Sequence, residues 1–85
     1  LEYLTEILDQ LQERGLYGQV NYIDMTNLNS PTMGFLGRFT VKLGESGETE
    51  YRLAKLLSAV SQLTEYDRGT IDVSYDGEQV VFSPF

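Results

Sequence analysis

Every periodic stretch of this chain is apolar on one side only, and that constrains its architecture more than any other feature. Leu4, Ile7, Leu8 and Leu11 recur at helical spacing, with Leu1 one turn earlier, while Glu2, Glu6, Asp9, Gln10 and Glu13 fall mainly on other faces. An amphipathic helix is predicted here, with Arg14 suited to its last turn and Gly15 as a left-handed stop. A second stripe runs through Leu53, Leu56, Leu57, Val60 and Leu63, with Ala54 and Ala59 allowing close approach. Thr49 is its predicted N-cap, and Glu48 and Glu50 suit the positive end of its dipole. Between the helices, residues 19–25 and 32–36 read as strands. Phe39, Val41 and Leu43 then alternate with Arg38, Thr40 and Lys42, giving a third strand with one wet face. Residues 27–31 form a turn cluster, Gly37-Arg38 turns the chain, and Gly44 ends the third strand. Segments with a single apolar side need a single shared core. The predicted fold is α+β: a mostly antiparallel twisted sheet of about five strands, with two helices packed on one face. Residues 1–85 are read as one domain.

The last two strands come from residues 69–85. Ile71, Val73 and Tyr75 alternate with Thr70, Asp72 and Ser74, and Asp76-Gly77 suits the positive φ angles of a tight hairpin. The closing strand, residues 79–83, stops at Pro84, which has no N–H to donate. A terminal strand capped by proline reads as an edge strand. An open edge presents unpaired donors and acceptors to which another chain can add a strand. Phe82 and Phe85 are either tucked under the domain or offered to a partner, and the sequence leaves both readings open.

Composition narrows the function. The 85 residues include no cysteine and no histidine. Disulfides, a zinc staple and the commonest bases and nucleophiles are therefore missing, and no cofactor is expected. Asp72 and Asp76 are the only carboxylate pair of interest for acid–base chemistry, with Asp67 and Asp24 further off, and both Asp72 and Asp76 flank strand and turn positions where Asp is ordinary. Asp67, Asp72, Asp76 and Glu78 cluster in sequence but lack the spacing of a calcium loop. The glycines at 34, 37, 44 and 47 read as turn glycines, since no phosphate-loop pattern follows them. Thirteen acidic residues against six scattered basic ones give a net charge of −7. That balance disfavours nucleic acid and anionic lipid as partners. The opening on Leu1, directly in helical periodicity, reads as a piece of a longer protein.

Val41-Lys-Leu-Gly44, then Tyr51-Arg-Leu-Ala-Lys-Leu56 on a helix, then Gly69-Thr-Ile-Asp-Val73, together with Ile23-Asp-Met-Thr26, resemble the FtsQ/DivIB family of bacterial cell-division proteins. The likeness runs from about Val20 to Pro84 and corresponds to the C-terminal part of the family's extracytoplasmic β domain. It implies a non-enzymatic divisome scaffold, anchored by an N-terminal membrane helix outside this fragment and sited at the division septum. The implied partners are DivIC/FtsB-like and FtsL-like proteins, the former captured by strand addition. The positions this implies for partner binding are Ser74, Tyr75, Gln79, Val80, Val81, Phe82 and Phe85. Tyr75 matches a family tyrosine and Phe82 a family aromatic, whereas Ser74 stands where many relatives have Arg, so a salt bridge from that position is absent. The alternative reading is a small extracytoplasmic ligand- or carbohydrate-binding domain using tyrosines and surface acids, which requires a concave site.

Overall fold

The computed structural model describes residues 2–85; Leu1, counted above in the first apolar stripe, lies outside them. Helix α1 (Glu2–Glu13) buries Ile7 and Leu11 and leaves Leu4 and Leu8 half-covered. It ends at Gly15, at φ +69°. There the Leu16 N–H donates to the Leu11 carbonyl at 2.8 Å and the Gly15 N–H to the Gln12 carbonyl at 3.1 Å, the paired bonds of a Schellman stop. Strands β1 (Val20–Asp24), β2 (Thr32–Phe35) and β3 (Phe39–Lys42) follow, then helix α2 (Thr49–Ser61), β4 (Gly69–Asp72) and β5 (Val81–Pro84). The sheet order is β1-β2-β3-β4-β5, so each strand lies beside its predecessor. Three of the pairings are antiparallel. Only β3 and β4 run parallel, because α2 is the crossover between them.

Strand alternation places Met33, Phe35, Phe39, Val41 and Ile71 on one face of the sheet. Ile7 and Leu11 of α1 and Leu53 and Leu56 of α2 join them in one buried cluster, so both helices cover the same side. The opposite row carries Thr32, Gly34, Thr40, Lys42, Thr70, Asp72 and Ser83 and is the wet face. The expected α+β architecture is the one observed.

Three local expectations change. Thr49 does not cap α2: the capping position is Glu48, at φ +54°, and Thr49 is the first helical residue, with its hydroxyl buried and unpartnered. The helix starts one residue early because Glu48 turns left-handed and offers its carbonyl to the Arg52 N–H at 2.9 Å. The β2–β3 turn is centred on Leu36-Gly37, both at positive φ, with the Arg38 N–H donating to the Phe35 carbonyl at 3.2 Å. Arg38 is drawn instead to the Thr64 carbonyl, 2.6 Å from its guanidinium, while Leu36 packs on the core.

The largest change is in the closing hairpin. Gly77 does adopt a positive φ, +71°, but β4 stops at Asp72 and β5 starts at Val81. Residues 73–80 form a wide loop rather than a two-residue turn, so Tyr75 and Gln79 lie outside the strands. Two side chains account for this. Asp72 Oδ1 accepts the Ser74 N–H at 2.9 Å and the Ser74 hydroxyl as well, which bends the chain away from the ladder. Lys55 Nζ, reaching from α2, donates to the carbonyls of Tyr75, Gly77 and Gln79 at 2.7, 2.9 and 3.3 Å.

A candidate partner-binding edge

Strand β5 pairs with β4 alone, and among the described residues no other strand pairs with its outer side. Its register fixes which backbone groups point outward. The Phe85 N–H donates to the Arg68 carbonyl at 3.1 Å, marking that pair as hydrogen-bonded. Antiparallel ladders alternate bonded and non-bonded pairs, so Ser83 faces Thr70 and Val81 faces Asp72 as bonded pairs. Phe82 and Pro84 are then the non-bonded positions, and their free backbone groups face outward. Phe82 offers an N–H and a carbonyl there, and Pro84 offers a carbonyl alone. Proline fits because its missing donor would have pointed away from the sheet.

Gly69 lets the two strands close. A Cβ at that position would fall 2.8 Å from both the Phe82 ring and Pro84 Cα, and closer still to the Ser83 carbonyl oxygen. Phe82 turns toward the helix side, half-buried, with its ring 6.2 Å from that of Phe39 at 77°. It is thus both a packing residue and part of a groove of about 760 Å³ between β5 and α2. Ala54, Ala59 and Leu63 of α2 and its C-terminal turn line one wall of this groove, Val80 and Phe82 the other, and Glu78 one end. The small side chains on α2 leave the room.

The remaining expected site residues are spread around this edge. Val81 lies on the wet face beside Asp72, and Val80 just precedes the strand in the groove wall. Phe85 is 79% exposed. Tyr75 is exposed on the loop, with its carbonyl held by Lys55, and Gln79 is exposed with its carbonyl held likewise. Ser74 is half-buried, tied to Asp72 and packed beside Gly44. The structure thus gathers Val80, Val81, Phe82 and Phe85 along the edge and sets Ser74, Tyr75 and Gln79 in the adjoining loop.

Lys55 itself was not singled out in the sequence, although it positions the loop. It is 7% exposed, and all three of its hydrogen-bond acceptors are backbone carbonyls. Burial, and then the nearby Arg52 charge, hold its pKa below the ordinary lysine value, against the opposing pull of Glu48, Asp76 and Asp72. Arg52 does the same work one turn earlier: its guanidinium donates to the carbonyls of Leu43, at 3.0 Å, and Glu45. The Tyr3 hydroxyl donates to the next carbonyl in that loop, Gly44, at 3.0 Å. The only advance signal was that both cations sit on the α2 stripe flank, beside Leu53 and Leu56.

The acidic candidates take other roles. Asp67 Oδ2 accepts the Thr64 N–H at 2.7 Å and Asp72 closes the Ser74 turn. Asp24 accepts the Thr26 N–H at 2.9 Å, and its bonds to Thr26 hold its carboxyl below the usual range. Among the described residues no group of three or more ligand side chains is placed to hold a metal ion. Nor is any described helix long and apolar enough to cross a membrane. On the open face, a depression of about 280 Å³ includes Tyr22, Thr40, Arg68 and Phe85, while Tyr51 lines the α2–β5 groove. The other sheet edge, β1, is interrupted by a bulge between Val20 and Tyr22, which makes it a poorer template. Compared with family models, with curated proteins and with solved structures, the chain matches none.

Proposed function

We propose that this domain is a non-enzymatic scaffold module of the bacterial divisome, of the FtsQ/DivIB kind, that captures a DivIC/FtsB-like partner by strand addition on β5. The observation that carries the reading is the outward-facing backbone of Phe82 and Pro84 on an unpaired edge strand, next to a groove of mixed polar and apolar lining. The order of motifs that resembles the family adds the partner's class. In this reading the longer protein is anchored in the cell membrane, and the domain lies on its outer side at the septum with FtsL-like proteins in the same complex.

Amide exchange residue by residue tests it. In the free domain the Phe82 amide exchanges fast, while Val81 and Ser83, bonded to β4, exchange slowly. Adding the extracytoplasmic segment of a DivIC/FtsB-like partner protects Phe82 and leaves its two neighbours as they were. Protection that appears on β1, or nowhere in the sheet, overturns the proposal.

A further inference from the structure

The edge also carries information about what completes it. Of the six basic side chains, four are turned onto backbone carbonyls of this same chain: Arg14 on Glu50, Arg38 on Thr64 and Asp67, Arg52 on Leu43 and Glu45, and Lys55 on the 73–80 loop. All four count in the net charge of −7, but Arg52 and Lys55 are buried and Arg14 and Arg38 spend part of their guanidinium on these carbonyls. Only Lys42 and Arg68 stand exposed without such an acceptor. At the β5 edge the asymmetry is local. Asp76 and Glu78 are exposed in the loop that leads into the strand, whereas Asp72 is faced across the β3–β4 ladder by the exposed Lys42 and the ammonium of Lys55 is buried against the loop carbonyls. Arg68 sits at the far end, bonded through its carbonyl to Phe85.

Resting on the strand-addition reading, we infer that the segment completing β5 is a basic extended polypeptide. It places Lys or Arg beside Asp76 and Glu78, and aliphatic side chains at every second residue in the groove over Ala54 and Ala59. The period follows from the strand itself: alternate side chains of an added strand face the α2 side. The groove has the volume for them, and its walls are apolar at Leu63, Val80 and Phe82. A second copy of this chain is a poor occupant, because two domains of charge −7 repel.

Two capped ten-residue peptides on one alternating Thr/Val frame test the inference, one carrying three Lys and the other three Glu, each titrated into the isotope-labelled domain. The Lys peptide shifts the amides of β5 and of the exposed face of α2. It binds about tenfold more tightly than the Glu peptide near 0.02 M salt, and the difference collapses near 0.3 M. A D76N/E78Q double variant, changed only at exposed loop positions, narrows the preference at low salt. Equal binding of both peptides at β5 overturns the charge inference and leaves strand addition standing. Absence of β5 shifts with both, up to millimolar peptide, overturns strand addition and this inference with it.

Discussion

Replacing Lys55 with Met keeps most of the buried stem and removes the ammonium that gathers three carbonyls. Hydrogen bonds to a charged group contribute about 1.5–3 kcal/mol each. The bonds to Tyr75 and Gly77, at 2.7 and 2.9 Å, count fully, whereas that to Gln79, at 3.3 Å, is long and adds little. Two good bonds give a gross gain of about 3–6 kcal/mol. Against this stands the cost of burying the charge, the first cause of the lowered Lys55 pKa, which Met does not incur. The abandoned carbonyls belong to exposed residues and can turn to water. The net loss is about 2 kcal/mol, which for a domain of this size lowers Tm by about 8–16 °C. The decisive readout is local. Backbone order parameters across residues 74–80 should fall from the rigid range toward about 0.6, while those of β2 and β3 hold. Unchanged order parameters in that loop would refute the idea that Lys55 shapes it, whatever happens to Tm.

Four further outcomes follow from the same geometry. Thr49→Val removes a buried hydroxyl without a partner and should stabilise the fold by about 1 kcal/mol, read by urea titration; a loss of stability would mean the hydroxyl is satisfied after all. Gly69→Ala forces a methyl against β5 backbone and should cost about 1–3 kcal/mol while loosening Val81–Pro84 in exchange experiments; protection of β5 equal to wild type would contradict the close approach. Phe82→Ala should lower both Tm and partner affinity, since the ring packs on Phe39 and lines the groove; an effect on Tm alone would confine it to the core. Alkaline titration should resolve two opposed trends in stability. Burial raises the Tyr3 pKa, so the unfolded chain ionises first, and this stability is full below pH about 10 and lost as pH rises through the folded value. The Lys55 pKa is lowered, so its penalty is present at neutral pH and relieved as pH rises from the folded value through about 10.4. Tyr3→Phe should remove the first trend and Lys55→Met the second, and identical profiles for all three proteins would rule out both.

The layers of this fold were legible because they depend on periodicity. Ile7, Leu11, Leu53 and Leu56 repeat as helix stripes must, and Val41 and Ile71 alternate as strands must. What could not be read were contacts made by long side chains across the chain. Lys55, Arg52 and Arg38 look in sequence like solvated charges, yet each reaches a loop more than five residues away and reshapes it. The width of the closing hairpin is the clearest case. Asp76-Gly77 supplies the backbone for a tight turn, but a buried ammonium on α2 draws three loop carbonyls toward the helix and the tight turn loses. The edge itself was visible through Pro84, because a missing donor is a property of one residue. The groove beside it was not, since it depends on Ala54 and Ala59 coming to lie opposite Val80 and Phe82.

The strictly sequential order of the sheet bears on how it is made. Each strand docks on the one synthesised just before it, so a nascent chain can lay the sheet down row by row without waiting for distant segments. β5 is the outermost row, attached through β4 only, and it reaches the hydrophobic interior through Phe82 alone. A change confined to the outward side of that row leaves the ladder to β4 and the Phe82 packing in place, so under the strand-addition proposal capture can be lost by a chain that still folds.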